Sequence, residues 1–220
     1  AHSLGLVFLL CFPAAVGLAL LGEPIIGVVF ERGEFTAADT RQTALALAGY
    51  AVGLTGYSAI KVLTPAFYAL NDVRVPMAAS LASIATNYAL NWTFIRVLDW
   101  GHAGLAFSTS LVATTNFLAL MIFLRQKLRR LEGRRLLRSS WRILTASAAM
   151  AAACGASSHL MRSWLGESAW PRVADLAVSI PLGLAVLYSI CRALRVEELD
   201  TAVAATVGRA RDVIRLRNAP

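Results

Sequence analysis

Apolar runs of about 20 residues recur along this chain, and at about 1.5 Å per helical residue that length crosses a hydrocarbon core. Inside lipid every backbone N–H and C=O must find its partner within the protein, so only helices and closed barrels can span. Barrel strands would show shorter segments of alternating polarity. The expected fold class is all-α: a polytopic transmembrane helical bundle of about six spans, at residues 4–21, 43–70, 76–98, 103–124, 141–161 and 171–194. Composition agrees, with 57% hydrophobic and only 15% charged residues and a mean hydropathy of +0.61. Soluble domains carry about 25% charged residues.

The net charge of +8 would suit nucleic acid, but its placement argues otherwise. Eight of the 21 lysines and arginines lie between Arg125 and Arg142, and six between Arg192 and Arg217, each group flanking an apolar span. No aromatic-interleaved basic motif accompanies them, so no nucleic-acid partner is expected. Arg74 and these two groups follow spans two, four and six, whereas Arg32, Arg41, Arg96, Arg162 and Arg172 fall on the opposite side. The positive-inside rule then makes the first side cytoplasmic, with the C-terminus inside.

Four regions are expected. Residues 1–124 hold four spans, 125–140 a basic cytoplasmic linker, 141–194 two further spans, and 195–220 an amphipathic tail. In the tail Val196, Leu199, Val203, Val207, Ala210 and Ile214 form one apolar stripe, with acids early and arginines late. The short run 25–30 is too short to span and is expected at the interface. Thr36-Ala37-Ala38-Asp39 has the form of a capping box, so the second helix should start near Ala37. Trp100, Trp141, Trp164 and Trp170 fall at or near span ends, where interfacial aromatics belong. The chain opens on Ala1-His2-Ser3 without the features of a signal peptide, and reads as a piece of a longer protein.

Within the second span one charge stands out. Tyr50, Tyr57, Lys61, Thr64 and Tyr68 share one helical face, and Pro65 on the same stretch removes a backbone donor and offers a hinge. A lysine in hydrocarbon costs about 2.5–3.5 kcal/mol on insertion scales, so it is expected to face a cavity or a partner. Its distance from the span end, about 15 Å, is long for snorkelling. The third span carries Ser80, Ser83, Asn87 and Asn91 on one face, and the fourth adds Ser108, Thr109, Ser110, Thr114, Thr115 and Asn116. Such groups serve either as interhelical hydrogen bonds, at about 0.6 kcal/mol each, or as ligands to an ion or a sugar. Gly49, Gly53 and Gly56 suit close helix packing rather than phosphate binding. The scattered Cys11, Cys154 and Cys191 and the three histidines suggest neither disulfide nor metal. No nucleophile, phosphate loop or paired intramembrane carboxylate is visible, so enzyme chemistry has little support.

The ordered motifs Phe30-Glu31-Arg32-Gly33-Glu34-Phe35-Thr36, Tyr50-Ala51-Val52-Gly53-Leu54, Lys61-Val62-Leu63-Thr64-Pro65-Ala66-Phe67-Tyr68, Asp72 before Pro76, Asn91, and His102-Ala103-Gly104-Leu105 resemble the MurJ (MviN) family of lipid II flippases. The resemblance covers residues 4–124 in detail; beyond Arg125 only the layout is similar. It implies the second part of a larger two-lobed transporter fold of the MOP type, in the bacterial inner membrane. Lipid-linked peptidoglycan precursor (lipid II) would cross by alternating access through a cationic cavity. Lys61, Tyr57, Thr64, Tyr68 and Asn91 would line that cavity, Pro65 would be a hinge, and 141–161 with 171–194 would form a groove for the polyprenyl tail. No cofactor is implied, but coupling to a sodium ion or to the membrane potential is. Asn87, Asn91, Ser108 and Thr109 are the candidate ion ligands, with asparagine where some family members carry a carboxylate. Expected partners are lipid II, membrane lipids and a missing N-terminal half. Alternative functions are flipping of another lipid-linked glycan, a related exporter, or a non-transporting scaffold for cell-wall enzymes.

Overall fold

A computed structural model describes residues 2–128, 133–165 and 169–204. Six long helices follow one another: α1 (His2–Phe30), α2 (Ala37–Ala69), α3 (Arg74–Arg96), α4 (Gly101–Lys127), α5 (Gly133–Leu165) and α6 (Ala169–Ala193). A further helical segment occupies 197–204. α1, α2, α4, Arg135–Met161 of α5 and Trp170–Ala193 of α6 are long and apolar enough to cross a membrane. α3, at 23 residues, has spanning length, but Ser80, Ser83, Asn87 and Asn91 lower its hydropathy and it is not among those five. The all-α polytopic bundle is therefore observed, with the third helix the one whose apolar window falls short of a span.

Two boundaries differ from expectation. Residues 25–30 do not form a separate interfacial piece, because α1 runs unbroken to Phe30 through Pro13 and Pro24. A proline removes one ladder bond, and neighbouring helices tolerate that inside a membrane bundle. α5 begins at Gly133, so the stretch read as the basic linker is helical over its second half. Long helices persist here because an unpaired backbone costs more in lipid than propensity can offset.

The expected start of α2 is met. Thr36 is the N-cap, the Thr36 amide donates to Asp39 Oδ2 at 2.8 Å, and the Asp39 amide donates to Thr36 Oγ1 at 3.4 Å. Two orphan donors of the first turn are thereby satisfied. Between α2 and α3, Asn71 takes φ +54° and Asp72 Oδ1 accepts from the amides of Arg74 (3.1 Å) and Val75 (3.3 Å). This side chain starts α3 where Val73, the N-cap position, has none to offer.

α1 holds the bundle together. It packs against α2 on one side and against α5 and α6 on the other, while α4 packs on α2 and α3 lies outside, mostly against α4. The tightest apolar cluster joins Leu4 and Phe8 of α1, Leu63 and Phe67 of α2, Leu120 of α4 and Ile143 of α5. These residues sit early in α1 and α5 and late in α2 and α4, so the cluster lies at one end of the bundle. Apolar surface gives little drive between helices in lipid, and dispersion between closely fitted chains replaces it.

Close fit is visible at the α2–α4 contact. A Cβ on Gly49 would lie 3.0 Å from Ala106 Cβ, one on Gly53 2.5 Å from Ser110 Cα, and one on Gly56 3.0 Å from the Ala113 carbonyl oxygen. The Ser110 hydroxyl donates to the Gly49 carbonyl at 2.5 Å. The glycine stripe thus lets two backbones meet, as small residues do in membrane helix pairs.

Candidate functional site

Lys61 lies on α2 eight residues before Ala69, about 12 Å from the helix end. It is exposed, as are Tyr50, Tyr57, Pro65 and Tyr68, while Thr64 is half-buried. The opposite face of the same turns, Ala59, Leu63 and Phe67, is buried in the apolar cluster. The helical period therefore aims the lysine and the tyrosines away from the described core. The Lys61 ammonium lies 4.8 Å from the centroid of the Tyr57 ring, a cation–π contact that partly replaces water. No carboxylate pairs with it among the described residues. Pro65 stands four residues on and supplies no N–H to the Lys61 carbonyl, leaving that oxygen outside the helical ladder. About three turns of α2 thus offer a cation, two phenols and a released carbonyl on an open face.

The α3–α4 candidates form a chain of hydrogen bonds. Asn91 Nδ2 donates to Asn87 Oδ1 at 2.9 Å, and Ser108, fully buried, donates to Asn91 Oδ1. The same hydroxyl lies 2.9 Å from the Leu105 carbonyl, so one proton serves either acceptor. Both carboxamide oxygens are occupied internally, each retaining one lone pair. Thr109 is exposed and donates to the same Leu105 carbonyl at 2.8 Å. The structure joins Asn87, Asn91 and Ser108 by side-chain hydrogen bonds, and Thr109 adjoins them only through that shared carbonyl.

The two ends of the bundle are organised differently. At one end Arg172 Nη1 donates to Glu31 Oε2 at 2.6 Å and Thr40 Oγ1 donates to the same oxygen at 3.0 Å, joining α6, the α1–α2 turn and α2. These donors, Arg172 first, hold the Glu31 carboxyl below its ordinary value. At the other end Lys127 pairs with Asp72 and Arg135 pairs with Glu197. The Lys127 ammonium holds the Asp72 carboxyl low as well. The connections after α2, α4 and α6 therefore gather at one end, as the charge distribution requires. A cavity of about 540 Å³ there is lined by Arg135, Arg138, Arg142 and Arg195 together with Glu197 and Glu198.

The tail begins differently from a free surface helix. Val196 and Glu198 are buried, Ser139 donates to Glu198 Oε2 at 2.7 Å, and a Cβ on Gly5 would collide with the Glu198 side chain. Val207, Ala210, Ile214 and the late arginines of the expected stripe lie outside the described residues.

Two apolar cavities complete the picture. One of about 240 Å³ lies between α1, α5 and α6, with Leu9, Pro13, Met150, Cys154, Ile180 and Leu187 in its wall. The other, about 360 Å³, lies among α1, α2, α4 and α5 and has Arg125 and Ser140 beside Phe8, Phe12 and Phe117. Sequence reasoning missed one polar group, Asp175 of α6, which is only 3% exposed against Ser158 and Ser179. A lone acid within an apolar run was the available signal.

Comparison with known proteins gives a consistent picture. The model of the family described as lipid II flippase MurJ matches residues 1–174. A probable lipid II flippase MurJ of Bdellovibrio bacteriovorus is 34% identical over 191 residues, covering 87% of this chain and 36% of that protein. One from Vibrio cholerae is 33% identical over 199 residues, covering 89% and 37%. Among solved structures, a lipid II flippase MurJ in an inward closed conformation is similar with a TM-score of 0.67 at 22% identity. That likeness covers 85% of this chain and 37% of the other, and speaks to fold. The chain thus spans little more than a third of the length of the curated relatives it matches. With the motifs around Glu31, Lys61 and Asn91 lying inside the matched region, the chain belongs to the lipid II flippase MurJ family.

Proposed function

We propose that this chain forms part of a transporter, not an enzyme, that moves lipid-linked peptidoglycan precursor across the bacterial inner membrane by alternating access. The observation that carries the reading is Lys61, a cation about two turns inside α2 on an open face, with no carboxylate partner among the described residues. A cation held there gains most from a multivalent anion, and the pyrophosphate of a lipid-linked precursor would supply one. Tyr57, Thr64 and Tyr68 on the same face suit a polar headgroup path, and Asn91 with Asn87 and Ser108 adds carboxamide and hydroxyl groups to it. The released Lys61 carbonyl and Pro65 give α2 a point at which to bend between states. Residues supplied by the rest of the longer protein would close the cavity around this face.

The apolar cavity between α1, α5 and α6 suits the polyprenyl tail, whose CH₂ groups need no polar partner. Sodium or the membrane potential would drive the cycle, with Asn87, Asn91, Ser108 and Thr109 as candidate ligands. The positive-inside bias puts the end bearing Asp72, Lys127 and Arg135 in the cytoplasm, along with the C-terminus. Reconstituting the full-length protein in vesicles tests substrate class. Lipid II should cross at a rate well above that of other lipid-linked glycans, and equal rates for all would overturn the precursor assignment.

A further inference from the structure

Asp175 lies on α6, about 9 Å along the helix from Ala169, and is 3% exposed. Its oxygens are solvated by hydroxyls alone. Ser179 Oγ donates to Oδ1 at 2.7 Å, and Ser158 of α5 donates to Oδ2. Ser179 Oγ is also 3.1 Å from Ser157 Oγ of α5, and Cys154 Sγ donates to the Ser179 carbonyl at 3.3 Å. Cys154 in turn borders the apolar cavity between α1, α5 and α6. A carboxylate in such surroundings is poorly screened, and hydroxyl donors do not cancel its charge.

The charged and titratable groups facing it from neighbouring elements offer no compensation. From α5 come Cys154, which donates elsewhere, and His159, which is exposed. Arg172, one turn earlier on α6, is turned to Glu31 beyond the end of α1. Among the described residues no cationic side chain pairs with Asp175. A lone buried carboxylate in a membrane helix marks a functional site unless a partner neutralises it.

We propose that Asp175, with the hydroxyls of Ser157, Ser158 and Ser179, is a site between α5 and α6 for a small hard monovalent cation, sodium. The donor set is oxygen throughout, as a hard cation requires, and a single negative charge balances a single positive one. Each serine that donates to the carboxylate retains lone pairs that can turn to a cation. It is built on α5 and α6, away from the Lys61 turn of α2 and from the Asn87–Asn91–Ser108 group. Binding is read without transport, so the site stands or falls independently of the flippase reading.

The test uses the full-length protein in detergent, comparing wild type with Asp175→Asn by thermal melting. The series replaces choline chloride by sodium chloride at constant ionic strength and fixed pH. A wild-type melting temperature that rises with sodium, and a variant that lacks the rise, support the site. The same response in wild type and variant overturns it. Should Asp175→Asn fail to fold, Ser179→Ala keeps the charge and removes one oxygen. The midpoint of the cation response should then shift by about tenfold or more, as expected for one bond to a charged group, and an unmoved midpoint overturns the proposal.

Discussion

Arg172 at the start of α6 donates to Glu31 Oε2 at 2.6 Å, tying the last long helix to the turn that follows the first. The two residues are 141 positions apart, and Thr40 of α2 completes the tie from a third element. Gly27 permits it, since a Cβ there would lie 2.8 Å from Arg172 Nη1. This clasp holds one end of the bundle, and the apolar cluster of Leu63, Phe67 and Ile143 lies at the other.

The clasp sets a pH dependence. Because Arg172 and Thr40 lower the Glu31 carboxyl below its ordinary value, its contribution is complete above the glutamate range, about pH 4.3. It declines as pH falls from there and vanishes below the depressed value. Wild type should therefore melt above Glu31→Gln at neutral pH, and the gap should close in acid. A gap that is constant down to about pH 3 would contradict the clasp.

The glycine contact between α2 and α4 predicts opposite outcomes for two similar substitutions. Gly53→Ala places a methyl against the backbone of Ser110 and should destabilise by about 1–3 kcal/mol. Gly155→Ala on α5 has no atom within 4 Å of its new Cβ and should be neutral, or stabilising by up to about 1 kcal/mol through helix propensity. Denaturant titration of the full-length protein in detergent reads both. Equal losses would refute the close approach.

Asp72 serves two partners, the first amides of α3 and the ammonium of Lys127. Asp72→Ala should therefore lower the melting temperature more than Lys127→Ala, which leaves the cap in place. The reverse order would show that the ion pair, not the cap, is the useful half. As the Asp72 carboxyl is held low by Lys127, its contribution persists at neutral pH and fades only in acid.

Local chemistry was legible in the sequence and long-range chemistry was not. The Thr36–Asp39 box, the Gly49–Gly53–Gly56 stripe and the face bearing Tyr57, Lys61 and Tyr68 all follow from spacing within one helix, where a 3.6 period decides neighbours. The Asn87–Asn91 bond is also one turn long, whereas its link to Ser108 depends on how α3 meets α4. No spacing rule joins Glu31 to Arg172, or Asp175 to Ser158, because those pairs arise from packing. The boundaries at Phe30 and Gly133 were misjudged for a related reason. The apolar stretches 4–21 and 141–161 mark only part of α1 and α5, because a helix continues past its most apolar residues.

The central claim is that Lys61 supplies the positive charge the substrate meets, and one substitution series tests it directly. Full-length protein carrying Lys61→Ala or Lys61→Arg is introduced into cells depleted of their own flippase, and precursor reaching the outer face is measured alongside growth. The account predicts that alanine abolishes flipping and growth at normal protein levels, with arginine restoring part of both because it keeps the charge but changes its geometry. Undiminished flipping and growth with alanine would contradict it.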